Sequence, residues 1–508
     1  MTVTSPPRAL PLPRARSSLL ERRLALLALP LVVAAAALAL ALYAPFVLTW
    51  PPISSDEGRE MNAFWVAVGT DPQATLLDPF FGRDPLYKGG VQGISVGLAL
   101  RLLGPSLAVA RLVSSLWAGL LLVATFLAGR RLFGTGAAAA AATVLAASEP
   151  FLLSAHFVRP DVVVAALLMA ALWLALFPAE VWPAHLGAGL LLGLAVDVHP
   201  NAVAFLPLVG LPSLLSAGQS APRALRWLGG GLALGAAVYL GVRVAPDPAR
   251  YLASLDFWVG MEKRPPLLAG TLAASTAGEW GRFAQHLAGR PLELLVLAAS
   301  LAWSAARALR GSRAHLLVLL GLLAAFALFS LLVVSKVPFY LVLYYAPLSL
   351  LIGATIAEIA ARLPGRLWAG AGITLLVALF GFGLLGYARD LGYRYVTGDH
   401  DYPLLQQRLR AEVPAGAVVA GQPLYWPALA DHRFVDIDVA ERLRLQRRTP
   451  LEAFLRQSGA TVVLMDDDTR RALPAADRAW LLSHSEKRAT ITQKYYGTID
   501  VRVLAAPP

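Results

Sequence analysis

The acidic and basic residues that could do chemistry in this chain are few. Asp56 and Glu57 are adjacent, Arg159 and Asp161 flank Pro160, and Lys88, Lys263 and Lys336 are three of only five lysines among 44 basic residues. A carboxylate is the expected general base for a hydroxyl or amine that loses its proton on attack. Lysine binds phosphate as a point charge, and lipid phosphate is the obvious anion at membrane level. His199, before Pro200, adds a polar group at a turn. Together these residues suit chemistry on a phosphorylated lipid, provided the fold brings them to one side. Each also has a plain structural reading. Ser54 to Glu57 reads as an S-x-x-E capping box. Pro160-Asp161 is a natural helix start, His199 a polar hairpin tip, and Asp197 a local ion-pair partner. No cysteine is present, which removes disulfides, thiolate catalysis and Cys-ligated zinc.

The elements that must carry these residues are set by composition. The 508 residues are 57% hydrophobic and 15% charged. Soluble domains carry about 25% charged residues, and disorder needs few apolar ones. A single soluble enzyme and a disordered chain are therefore both excluded, and the reading is a polytopic membrane protein. The net charge of +12 does not indicate nucleic acid. The bases are spread through short loops between apolar runs, as the positive-inside rule predicts, rather than gathered on one face.

The pattern predicts an all-α membrane bundle of about eleven spans with a small α/β domain at the C-terminal end. An Arg-rich segment, 1–23, precedes an apolar run at 24–44, read as an uncleaved first helix rather than a signal peptide. In the first outer loop, Met61, Phe64, Trp65 and Val68 share one helical face, which describes an amphipathic helix lying at the membrane surface. Residues 89–103 are apolar but short and read as a second interfacial helix. Further spans are expected at 108–127, 137–155, 162–177, 186–198, 202–215, 227–242, 292–308, 316–334, 339–361 and 367–387, with an outer loop at 246–290. The poly-alanine stretch 137–142 reads as a tight helix-packing surface. This topology puts the N-terminus in the cytoplasm. It gathers Asp56, Glu57, Lys88, Arg159, Asp161, His199, Lys263 and Lys336 on the extracytoplasmic side of a bacterial-type inner membrane. The membrane domain is expected over 24–388 and the outer domain over 389–508. In the outer domain strands are expected at 417–421 and 461–465, and helices at 403–413, 450–457 and 475–484. Its acidic run Asp466-Asp467-Asp468 could bind a metal but reads rather as a solvated turn; with Tyr425, Trp426, Asp431 and Asp436 the domain could serve acceptor recognition or partner docking, though no motif marks either.

A resemblance enters through an ordered set of short stretches. These are Asp56-Glu57, Arg83-Asp84-Pro85-Leu86-Tyr87-Lys88, Ala110-Arg111-Leu112-Val113-Ser114, Arg130-Arg131-Leu132-Phe133-Gly134, Arg159-Pro160-Asp161 and Ser335-Lys336-Val337-Pro338-Phe339-Tyr340. In this order they resemble the GT-C class of membrane glycosyltransferases, and most of all the lipid A aminoarabinose transferase and protein O-mannosyltransferase families. The resemblance implies transfer of a sugar from a polyprenyl phosphate to an extracytoplasmic acceptor, with two juxtamembrane helices in the first outer loop. It implies a base or acceptor-positioning role for Asp56, with Asp161 as second acid and Glu57 beside them. It implies a lipid-phosphate role for Lys88; the expected outer placement extends that role to Arg159, Lys336, Lys263, His199 and Tyr340. Two positions depart from the pattern: Gly89-Gly90 follows Lys88, and His199-Pro200 stands where a lysine-glycine pair is usual. The tryptophan-rich W-W-D motif of the oligosaccharyltransferase branch is absent, which argues against N-glycosylation. The expected partners are a polyprenyl-phosphate sugar, an extracytoplasmic acceptor and membrane lipid. No cofactor and no metal are expected, since basic groups already supply charge, although Asp and Glu suit Mg²⁺ or Mn²⁺. The competing readings are a lipid transporter or flippase, which would place ionisable groups near the midplane and show repeat symmetry, and a membrane-anchored sensor.

Overall fold

Nine of the eleven expected spans fall within the residues that the structure, a computed structural model, describes. These are 52–68, 90–216, 221–261, 271–288, 290–333, 337–362 and 402–505. The expected N-terminal segment, the spans at 24–44 and 367–387, and Lys88, Lys263 and Lys336 lie outside the described residues.

Helix α1 (Ser55–Val68) and helix α2 (Gly90–Leu103) are two short helices that pack on each other ahead of the bundle. At 14 residues, α2 is about 21 Å long, short of the roughly 30 Å needed to cross a bilayer core. The membrane bundle follows as α3 (Leu107–Phe133), α4 (Thr135–Ala146), α5 (Glu149–His156), α6 (Pro160–Ala175), α7 (Trp182–Val198) and α8 (Leu206–Ser216), the last preceded by a 3₁₀ turn at Pro200–Phe205. It continues with α9 (Ala221–Tyr239), α10 (Pro248–Met261), α11 (Thr271–Leu287), α12 (Pro291–Leu309), α13 (Arg313–Leu332) and α14 (Leu341–Ala360), with a 3₁₀ turn at Pro338–Tyr340.

Every expected span within the described residues coincides with an apolar helix or a broken one. Among the described residues, five helical stretches are long and apolar enough to cross a membrane, six if α4 and α5, bent by 63°, count as one span. Helices α6 and α7 and the Pro200–Leu215 stretch are shorter. The outer loop expected at 246–290 is largely helical, as α10 and α11.

Helix α6 is apolar on nearly every side and buried on nearly every side, as a helix at the bundle centre must be. The poly-alanine stretch packs as expected. A Cβ added at Gly353 on α14 would lie 2.3 Å from the Ala137 carbonyl oxygen, so the backbones of α4 and α14 nearly touch.

The C-terminal domain is a five-stranded sheet with helices. Helix α15 (Tyr402–Glu412) leads into β1 (Val418–Gly421), a 3₁₀ turn at Pro423–Ala428 and β2 (Arg433–Asp436). Then come α16 (Ile437–Arg447), α17 (Leu451–Ser458), β3 (Val462–Met465), α18 (Asp467–Ala472), α19 (Ala475–Ser483), β4 (Ser485–Gln493) and β5 (Gly497–Leu504). The strand order is β2-β1-β3-β5-β4. β1 runs parallel to β2 and β3, and the β4–β5 hairpin joins antiparallel.

Side chains alternate across the strands. Ala420, Val435 and Val463 face a core with Leu443, Phe454 and Leu481. Val419, Phe434, Val462 and Leu464 face the membrane domain, in one core with Met61, Phe64, Leu107 and Val158. This corrects the reading of α1 as lying on the lipid surface. Met61 and Phe64 are fully buried, and the outer domain covers them.

Candidate functional site

The site forms at the junction of α1, the start of α6 and the outer domain. The capping box is present: the Glu57 backbone N–H donates to Ser54 Oγ and the Ser54 N–H to Glu57 Oε2, both at 3.3 Å. The Glu57 carboxylate then does more. Arg111 of α3 donates from Nε to Oε1 at 3.0 Å and from Nη2 to Oε2 at 2.8 Å. The Val158 backbone N–H donates to Oε1 at 3.0 Å. Both charged side chains are fully buried. One carboxylate thus ties together the α1 N-terminus, α3 and the segment before α6. The expectation that Glu57 shares the reacting site is corrected: no face of it is open to a substrate.

Asp56, one residue earlier, points the other way. Its side chain is 53% exposed, and its Oδ2 accepts from Arg159 Nη1 at 2.5 Å. Arg159 also donates from Nε to Asp161 Oδ2 at 3.0 Å. The two acids, 105 positions apart in sequence, share one guanidinium. Asp161 sits in the first turn of α6 beside Pro160, where the helix dipole favours a carboxylate. Arg159 lies over the Phe339 ring at 4.6 Å, which keeps water from one of its faces. Burial works against the charge on Arg159, but Asp161 and Asp56 outweigh it and hold its pKa above the usual guanidinium value.

Tyr340 is buried next to this group, close enough to act electrostatically on Arg159. Its ring centroid lies 5.7 Å from that of His199. His199 Nδ1 accepts the Asn201 N–H at 3.2 Å, as a polar turn does. Asp197, expected to pair locally, pairs instead with Arg243, 46 positions further along the chain, at 2.8 Å.

Four further residues join the site without having been singled out from the sequence. Glu60, one turn beyond Asp56, is half-buried among these charges. Burial pushes its carboxyl up to about 8; Arg159 opposes the shift, while Asp56 and Asp161 reinforce it. Arg59, three residues from Asp56, turns to the outer domain. The i+3 and i+4 spacings from Asp56 are the signal that could have found both. Arg111 lies in a quoted motif but had no role assigned. Arg282 of α11 is buried against Phe329 and Tyr344, donates to the Val337 carbonyl oxygen at 3.3 Å, and pairs with Glu279. Its Nε has no hydrogen-bond partner among the described residues.

The acidic run in the outer domain is structural. Asp466 caps α18 by accepting the Thr469 N–H at 2.7 Å and also accepts from the Tyr425 hydroxyl at 2.6 Å. Asp467 and Asp468 pair with Arg470 and Arg471. Tyr425 and Trp426 are core residues, so neither is placed to recognise an acceptor. Among the described residues no cluster of three His, Asp or Glu side chains is arranged to hold a metal ion.

Residues 94–242 match the family model described as dolichyl-phosphate-mannose-protein mannosyltransferase, a stretch that includes Arg111, Arg130-Arg131 and Arg159-Pro160-Asp161. The fold is similar to that of ArnT from Cupriavidus metallidurans bound to undecaprenyl phosphate. That likeness has a TM-score of 0.61 at 18% identity, over 94% of this chain and 99% of that one. The chain shares the fold of ArnT over nearly its whole length. ArnT in the apo state matches with a TM-score of 0.60 at 18% identity, over 93% and 98% of the two chains. The Archaeoglobus fulgidus oligosaccharyltransferase in the apo form matches with a TM-score of 0.51 at 14% identity, over 89% of this chain and 70% of that one. No curated protein matches the sequence significantly. The likeness to ArnT thus covers the short helix pair, the bundle and the C-terminal sheet domain.

Proposed function

We propose that this protein is a membrane glycosyltransferase that moves a sugar from a polyprenyl-phosphate donor to an extracytoplasmic acceptor. The observation that carries the reading is Asp56. It is an open carboxylate at the rim of a membrane bundle, held by a guanidinium that also grips a second acid. The proposed orientation puts the N-terminus in the cytoplasm and the sheet domain outside. The structure of ArnT with undecaprenyl phosphate supports the donor class.

In the proposed reaction an acceptor O–H or N–H gives its proton to Asp56 as the oxygen or nitrogen bonds to the anomeric carbon. The bond from that carbon to the phosphate oxygen breaks, and polyprenyl phosphate leaves with the electron pair. A single displacement inverts the anomeric centre. Arg159 keeps Asp56 oriented and offsets charge growing on the phosphate. Tyr340, His199 and Arg282 line the neighbouring turn, and Lys88, Lys263 and Lys336 are proposed as further phosphate contacts. Asp161 fixes Arg159. No cofactor is proposed, because Arg159 already supplies the positive charge between the two acids.

The test is release of undecaprenyl phosphate from radiolabelled undecaprenyl-phosphate sugars, with cell-envelope acceptors and purified protein in lipid. Wild type should release it and Asp56→Asn, at equal expression, should not. Full activity in that variant sinks the role of Asp56. Movement of lipid between leaflets without release turns the reading to a transporter.

A further inference from the structure

The first turn of α1 is gripped from behind by the outer domain, through polar groups that the reaction does not use. Arg59 is almost fully buried there. It donates from Nε to Asp436 Oδ2 at 2.9 Å and from Nη2 to Asp438 Oδ2 at 3.1 Å, while its Nη1 lies 3.5 Å from Asp56 Oδ1. Asp436 is fully buried and also caps α16 by accepting the Asp438 N–H at 2.9 Å. Gln422 completes the set: its Nε2 donates to Asp438 Oδ1 at 2.9 Å, and its Oε1 accepts from the Ser55 hydroxyl at 2.7 Å. A Cβ added at Gly58 would stand 1.9 Å from the Pro423 carbonyl oxygen, so the helix backbone rests on the backbone of the outer domain.

These contacts have a common place in the fold. Gln422 follows the end of β1, and Asp436 ends β2. Open α/β sheets bind their ligands at the carboxyl ends of parallel strands. Here that edge is occupied by Ser55, Gly58 and Arg59, the residues on either side of Asp56. The domain holds a helix turn in the position where such a sheet usually holds a ligand.

We infer that the outer domain is a positioning device for Asp56, with Arg59 as the positioning residue and Asp436, Asp438 and Gln422 as its anchors. The inference rests on the reading of Asp56 as the reacting acid. Charge balance makes the device selective. Two carboxylates of the outer domain hold Arg59 from behind, so it reaches Asp56 only through the long 3.5 Å contact of its Nη1, while Asp56 pairs closely with Arg159. Neutralising Asp438 frees Arg59 to turn to Asp56 and compete with Arg159. The groups facing this turn are Glu57 and Glu60 of α1 itself, Arg159 and Asp161 from the start of α6, and Asp436 and Asp438 from the outer domain.

The experiment compares wild type, Asp438→Asn, Arg59→Lys and Arg59→Gln, each as the full chain in lipid, with radiolabelled undecaprenyl-phosphate sugars as donor. Hydrogen exchange of the 55–60 backbone amides is measured in parallel. A misplacement of about 1 Å can cost on the order of a hundredfold in rate, so kcat should fall about ten- to a hundredfold in Asp438→Asn. Donor KM should stay within about twofold, since Arg59 is buried against Asp436 and Asp438 rather than on the open side of Asp56. Exchange at 55–60 should quicken while that of β1 and β3 is unchanged, and Arg59→Lys should retain more activity than Arg59→Gln. Unchanged kcat in both Arg59→Gln and Asp438→Asn overturns the inference, as does a loss confined to KM. The exchange measurement needs no donor. If Asp56→Asn is fully active, the site reading fails; unaltered exchange at 55–60 in Arg59→Gln counts separately against the clamp.

Discussion

Asp56 and Glu57 are neighbours of the same charge, yet they have opposite fates. Successive residues on a helix point about 100° apart, and here that angle separates an open site from a sealed joint. Glu57 has its charge matched by Arg111 and its remaining acceptor capacity filled by Val158 N–H and Ser54 N–H. Asp56 has more than half its side chain in solvent and is held by an arginine it shares with Asp161. A buried carboxylate must have every partner in place, because an unmatched charge away from water costs several kcal/mol. A reacting carboxylate must keep an open face. The two-residue motif supplies one carboxylate that builds the junction and one, the proposed base, that keeps an open face.

This contrast can be broken by substitution. Asp56→Asn should lose transfer by about 10²- to 10⁴-fold, the usual worth of a general base, with an unchanged melting midpoint. Glu57→Gln should do the reverse. Breaking a buried pair from one side costs about 3–5 kcal/mol, read as a lower melting midpoint and poor yield. Glu57→Met combined with Arg111→Leu should recover most of that stability. The shortfall comes from the Val158 N–H, whose lost partner costs about 1–3 kcal/mol. A double variant no more stable than Glu57→Gln alone contradicts the pairing.

A smaller effect concerns Glu60, which sharpens the contrast between the two faces of α1. Its carboxyl is raised to about 8 in the folded protein. Between its ordinary value near 4.5 and 8 the folded state therefore holds a proton that the unfolded chain has released. The folded state binds more protons, so stability declines as pH rises through this window. The melting midpoint of wild type should drop between about pH 5 and 8.5 relative to Glu60→Gln, whose curve should be flatter. Parallel curves refute the shift. The smallest expected effect is that of chelation. With Arg159 between Asp56 and Asp161, EDTA should leave the transfer rate unchanged, and a rate restored only by Mg²⁺ or Mn²⁺ shows that the guanidinium is not sufficient.

The membrane half of the molecule was more legible from sequence than the outer half. Apolar runs announce helices in lipid because every backbone polar group must be satisfied within the segment, and each expected span among the described residues is helical. The two short helices ahead of the bundle were legible by their length, and the capping box by its spacing. In the outer domain β1, β3, α15, α17 and α19 were expected near their observed places, whereas β2, the β4–β5 hairpin and α16 were not. Strand β2 begins and ends on charged residues, Arg433 and Asp436, and β4, at Ser485–Gln493, is mostly polar and exposed, so neither reads as an apolar run as β1 and β3 do.

Types and order of residues were enough to establish a membrane protein, an acid pair after its first apolar run, a second acid after Pro160 and a GT-C likeness. Those features are local, written in composition, helix period and motif. Which of Asp56 and Glu57 stays open was decided only in three dimensions, by Arg111 from α3 and Val158 from the turn before α6. So was the grip of Asp436, Asp438 and Gln422 on the helix that carries Asp56. These partners lie from 54 to 379 positions away along the chain. No local pattern can encode them, because burial and charge pairing are properties of the packed junction rather than of either segment.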